Sequence, residues 1–129
     1  MQNKLEDMFA RQLELGDHFI PMKALYKNEC GDILGDGDNR VDQREKYILS
    51  YITLLIEEAV EMQRTIPSRK FWRKEICSKP MDAVEFREEL ADVLHILIAI
   101  SVIAGIGPEE LHELYVAKNQ INLERLNAK

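Results

Sequence analysis

The sequence predicts an all-α fold, a four-helix bundle-like unit, and three observations carry that expectation. Long stretches without Gly or Pro repeat their apolar residues every three or four positions. Pro and Gly fall at the ends of those stretches rather than inside them. No run alternates apolar and polar residues as a half-buried strand does, and no internal repeat is present. At 129 residues the chain suits one domain, 1–129, and can bury a real core without staples.

The first helix is expected over 4–18, where Leu5, Met8, Phe9, Gln12, Leu13 and Leu15 make an amphipathic series and Pro21 follows. The stretch 27–39 holds three glycines and three aspartates and predicts a mobile connection over 27–40. Within it Asp36 opens a run that superficially resembles a calcium loop. Tyr47 stands where the final bidentate Glu belongs, so calcium is set aside. The second helix is expected over 41–66, with Ile48, Tyr51, Ile52, Leu55, Ile56, Ala59 and Val60 at helical spacing and Pro67 ending it. A short basic-aromatic segment follows, Arg69, Lys70, Phe71, Trp72, Arg73 and Lys74, with Phe71 expected in the core. Asp82 with Glu85 three residues on resembles a capping box, opening a third helix to 104 that stops at Gly105 and Gly107. Pro108, then Glu109 and Glu110, opens the fourth, to 126.

Composition narrows the function. Acidic residues outnumber basic ones 23 to 17, a net charge of −6, and the pI is near 5.1. That balance argues against gripping nucleic-acid backbone, which needs a basic footprint. It leaves small anionic ligands open, because a bound divalent cation reverses the local field. Cys30 and Cys77 form no disulfide framework and have no metal-ligand spacing. The N-terminal residues lack a signal-peptide hydrophobic stretch, and the apolar run 93–106 is too short for a bilayer. The expectation is a cytoplasmic protein with no membrane partner.

The carboxylates are unevenly placed. Glu57, Glu58 and Glu61 share a turn of the second helix; Glu85, Glu88, Glu89 and Asp92 crowd the third. At about 100° per residue, Glu58 and Glu61 project within roughly 60° of each other, as do Glu89 and Asp92. A solvated face explains most acidic runs, but these lie among Leu54, Leu55, Ile56 and Val60 on one helix and Leu90, Val93 and Leu94 on the other. Carboxylates taken out of water must be protonated, paired or metal-bound. Two facing helices offering carboxylates a turn apart make an oxygen-rich cage of the kind Mg²⁺ or Mn²⁺ prefers. No Glu-x-x-His is present, which disfavours a ferritin-like di-iron site. His95, three residues after Asp92, reads as a core histidine with a satisfied ring before it reads as a ligand.

Glu58-Ala-Val-Glu61, followed beyond the basic-aromatic segment by Glu89-Leu-Ala-Asp92, resembles the paired acidic motifs of the all-α nucleoside triphosphate pyrophosphohydrolases, the superfamily of the dimeric dUTPases and MazG-like enzymes. The segment around Trp72 is similar to the Lys-aromatic-Trp-Lys stretch of the dUTPase-like branch. The run from Lys118 through Asn119 and Asn122 to Arg125 is similar to its C-terminal helix. The similarity spans 48–125; at the first helix only Gln12 matches, with Leu15 where that branch has Asn.

The resemblance implies Mg²⁺-dependent cleavage of a deoxynucleoside triphosphate, dUTP favoured, to monophosphate and pyrophosphate. It implies Glu58, Glu61, Glu89 and Asp92 as metal ligands, with Mn²⁺ a possible substitute, and Glu58 or Glu57 activating the water. Lys118, Arg125 and Asn122 would hold the phosphates, with Lys74 and Arg73 reaching in from the inter-helix segment. Gln12 would read the base, and Trp72 is either a stacking platform or a core anchor. A homodimer or homotetramer is expected from the same source, and also because a helix apolar nearly all round offers more surface than one such unit covers. The alternatives are a MazG-like enzyme for another base, purines included, and a non-enzymatic helical oligomerisation module.

Overall fold

The computed structural model describes residues 3–27, 39–74 and 79–128. Cys30, Cys77, the Asp36 run and the connection through 28–38 lie outside the described residues. Everything described is helix or turn: α1 (Lys4–Gly16), α2 (Met22–Lys27), α3 (Asn39–Arg64), a 3₁₀ turn (Pro67–Arg69), α4 (Ala83–Ile103) and α5 (Pro108–Asn127). No single helix among the described residues is long and apolar enough to cross a membrane.

Each start has a local cause. Asn3 caps α1, its Oδ1 accepting from the Leu5 N–H at 2.8 Å, and Glu6 and Asp7 sit favourably at the positive end of the helix. Asp82 caps α4 by accepting from the Glu85 N–H at 3.1 Å. The reciprocal half of the expected capping box is replaced: the Asp82 N–H donates instead to Thr65 O, at 3.2 Å, which ties the start of α4 to the end of α3. The short α2 has too few residues to show a period, yet Met22 and Leu25 are its two fully buried side chains. It closes tightly on α1 at Gly16, where a Cβ would run into the Met22 thioether.

The dominant packing is the antiparallel pair α3–α4, and its register is regular. Thr65 meets Asp82, Glu58 meets Glu89, and Arg44 meets Ile103. Going from Thr65 to Glu58 to Arg44, in steps of seven and fourteen residues, is matched by equal steps from Asp82 to Glu89 to Ile103. A seven-residue repeat keeps the same faces in contact along both helices. Arg44 fixes one end, donating to Ile103 O at 2.6 Å and to Leu25 O at 3.2 Å. Its cation therefore satisfies a terminal carbonyl of α4, at the helix's negative end.

The core lies at that same end. Phe9, Met22, Leu25, Ile98, Ala99, Val102 and Ile103 are buried together, with Tyr47, Ile48 and Tyr51 of α3 packed against them. At the opposite end of the hairpin the described residues in contact belong to α3, α4 and the 3₁₀ turn. Phe71 and Trp72 project there, 80% and 65% exposed, edge to face with centroids 5.3 Å apart. Phe71 is thus not a core residue, and Trp72 is not a core anchor. Beyond α4, Gly105 takes φ +80°, Ser101 Oγ donates to Ile106 O at 2.8 Å, and the chain turns by 107° into α5. α5 rests mainly on α1 and has no buried residue.

Two substitutions test this account. Arg44→Ala leaves the Ile103 carbonyl without its charged donor and lowers the unfolding free energy by about 1–3 kcal/mol. Gly105→Ala forces an L side chain into the left-handed region and costs about 1–2 kcal/mol. Urea midpoints fall in both with unchanged slope; an unaltered midpoint in either removes the corresponding contact from the account.

Candidate functional site

Midway along the hairpin the register sets carboxylate against carboxylate. Glu58, Glu61 and Glu89 each place an oxygen within 4.8 Å of the other two. Glu58 and Glu89 are half-buried and Glu61 is exposed. The Oε2 atoms of Glu58 and Glu89 are shielded from solvent and accept no hydrogen bond. An unsatisfied buried acceptor is a cost that a folded chain rarely carries without use.

Electrostatics follow from that placement. Burial, then the charges of Glu61, Asp92 and Glu89, raise the Glu58 carboxyl above its ordinary value of 4.5. Burial, then Glu61, Asp92 and Glu85, raise Glu89 in the same way. The loss of hydration is local, since one oxygen of each group is covered while the side chains as a whole remain partly open. Asp92 contributes charge to both but stands one turn further toward the core than Glu89, outside the closest trio. Glu57 is exposed on α3 and belongs to no such group.

A second feature lies beside the first. Met8, Arg11 and Gln12 of α1 and Ala91, Leu94, His95 and Ile98 of α4 line a cleft of about 240 Å³. Gln12 is only 6% exposed and its Oε1 has no partner. His95 is not the core histidine the sequence suggested. It is exposed, and its Nδ1 lies 2.8 Å from Ala91 O, so that nitrogen carries the hydrogen and Nε2 is left as an acceptor. His95 stands one turn beyond Asp92 and about 60° round the helix, while Leu94 and Ile98 lie about 160° and 120° round α4 from Asp92, so the cleft approaches the acids only at its His95 edge. Its part in the cleft was hidden in the sequence, because no α1 partner could be placed against it.

The remaining expected residues scatter. Trp72, Arg73 and Lys74 are exposed on the turn that closes the carboxylate end of the hairpin. Lys118 and Asn122 line a different groove, with Leu94 and Leu97 on its α4 wall, and Arg125 is exposed further along α5. That wall lies roughly 140–200° round α4 from Asp92. Within one chain α5 therefore does not bring its cation series to the acids. Comparison with known proteins adds no match, whether by family model, curated protein or solved structure.

The carboxyl shifts set a pH dependence. With both native values raised, the native state holds more protons on these two groups than the unfolded chain, so their contribution to stability is most favourable below 4.5 and is lost as pH rises through that value toward the raised native ones. Removing one charge relieves this. Relative to Glu89→Gln, the metal-free protein loses melting temperature as pH rises from about 4 to about 8, through and above the carboxylate range. A gap between the two proteins that stays constant with pH contradicts the mutual repulsion of these acids.

Proposed function

We propose that the chain is a Mg²⁺-dependent nucleoside triphosphate pyrophosphohydrolase, with dUTP its favoured substrate. One observation carries the reading: Glu58, Glu61 and Glu89 converge from two apolar helices, with two carboxylate oxygens shielded and unsatisfied. An all-oxygen donor set of that charge fits a hard divalent cation, with Asp92 as a further ligand one turn away. The paired acidic motifs and the basic-aromatic segment supply the reaction and the base preference by resemblance.

Bound there, Mg²⁺ supplies the positive charge that lets a triphosphate approach and that stabilises its phosphate oxygens in the transition state. Glu58, one of the two acids with a shielded oxygen, would act as the general base. It takes one proton from a water whose oxygen bonds to the α-phosphorus, while the α–β anhydride breaks and pyrophosphate leaves. Arg73 and Lys74 add cationic charge at the open end of the hairpin. The α1–α4 cleft, which approaches the acids at its His95 edge, accepts the base, its apolar walls taking the ring faces and the Gln12 amide offering an acceptor and a donor to the ring edge. Lys118, Asn122 and Arg125 have no part in this site as one chain forms it.

Assays with each deoxynucleoside triphosphate and pyrophosphate detection test the reading. Mg²⁺-dependent turnover is expected, greatest with dUTP, and silence on every nucleotide with Mg²⁺ and Mn²⁺ overturns it. Glu61→Gln lowers kcat by about 100-fold or more and abolishes the rise in melting temperature that Mg²⁺ gives the wild type. Gln12→Ala raises KM more than it lowers kcat and narrows discrimination between bases by about tenfold, one lost hydrogen bond in a buried site. A non-enzymatic helical module predicts no melting shift with Mg²⁺ at all.

A further inference from the structure

The α1–α4 cleft has three polar side chains in its lining, Arg11, Gln12 and His95, and each is held differently. Arg11 pairs with the Asp7 carboxylate, Nε to Oδ2 at 2.9 Å, so its charge is already answered on α1. Gln12 is buried, and its Oε1 has no donor from the chain itself. A buried acceptor left without a partner points to a ligand that supplies one. His95 is exposed at the rim, and its position round α4 sets it apart. At about 100° per residue it stands about 60° from Asp92, against about 100° for Ala91, 120° for Ile98 and 160° for Leu94. Of the α4 residues in the lining it is therefore the one nearest the acids. A ligand with one end between α1 and α4 and the other at the carboxylates has to pass it.

The hydrogen bond on the other ring nitrogen decides what His95 presents there. Nδ1 lies 2.8 Å from Ala91 O and donates to it, which leaves the Nε2 lone pair as the free polar group. The same bond restrains the ring, so the acceptor is oriented before a ligand arrives. We infer that His95 reads the sugar: its Nε2 accepts a hydrogen bond from the 3′-hydroxyl of a 2′-deoxynucleoside triphosphate. This rests on the proposed reaction, which puts the base in the cleft and the triphosphate at the metal and so leaves the pentose between them. In such a nucleotide C1′ carries the base, O5′ is esterified and C2′ has no hydroxyl. The 3′-hydroxyl is then the one donor the sugar has, and it faces a side chain with an acceptor to give. His95 is thus a specificity-determining residue with a task separate from that of Gln12, which contacts the base.

A cycle that removes either partner of this hydrogen bond tests it on the full chain with Mg²⁺ present. Pyrophosphate release is followed with dUTP and with 2′,3′-dideoxyuridine triphosphate, which differs only in lacking the 3′-hydroxyl. The wild type is expected to prefer dUTP by about tenfold in kcat/KM, the worth of one hydrogen bond in a partly enclosed site. His95→Phe keeps a flat ring without the acceptor; it is expected to lose about tenfold on dUTP and to treat the two nucleotides alike, within about twofold. His95→Ala gives the same collapse of preference, which separates the lost acceptor from the bulk of the phenyl ring. A merely structural role for His95 would lower both substrates together and keep the preference. A wild type indifferent to the 3′-hydroxyl, or a His95→Phe that retains the preference, overturns the inference and leaves the proposed reaction standing. A wild type that turns over neither nucleotide overturns the reaction, and this inference with it.

Discussion

The antiparallel register of α3 on α4 is the constraint on which the rest depends. It is pinned at one end by Arg44 on the Ile103 carbonyl and at the other by the Asp82 N–H on the Thr65 carbonyl. Between those two fixings Glu58 has no choice but to face Glu89. One residue of slip in either helix would swing its partner by about 100° and break up the carboxylate group. The seven-residue steps explain how two helices of unlike composition stay in phase over their whole contact.

That register holds together two ends with opposite energetics. At the Ile98–Ile103 end, α1, α2 and α3 all close on α4 and bury a cluster of apolar side chains. At the Glu89 end, like charges oppose one another and two carboxylate oxygens lose water without gaining a donor. The well-packed half holds the repulsive half in place. Strain of this kind persists only where the surroundings over-determine it.

Much of this was legible in the chain. The absence of Gly and Pro within α3, and the caps at Asp82 and Pro108, placed the long helices to within two residues of their ends. The acidic pairs on apolar helices pointed to the trio of Glu58, Glu61 and Glu89. Other features depend on packing that no local pattern encodes. α2 is six residues long, too short for periodicity, and it forms because Gly16 lets Met22 close on α1. Phe71 looked apolar enough for the core, yet lies in a turn after the 3₁₀ segment and is 80% exposed. The course of α5 was least legible of all: its apolar residues surround the helix, so no single face announces a neighbour, and a left-handed glycine decides its direction. That is why Lys118 and Asn122, well spaced for a shared role, end on the far side of α4 from the acids.

Because α4 is one unbroken helix running from the carboxylates into the core, it carries a gradient of local stability. Its last turns are covered on three sides, and their amide hydrogens exchange only when the whole domain opens. Among the described residues its first turns pack mainly on α3 and are pushed apart by charge, so they open at a smaller cost. The part of the molecule that gathers the carboxylates is thus also the part that opens most often.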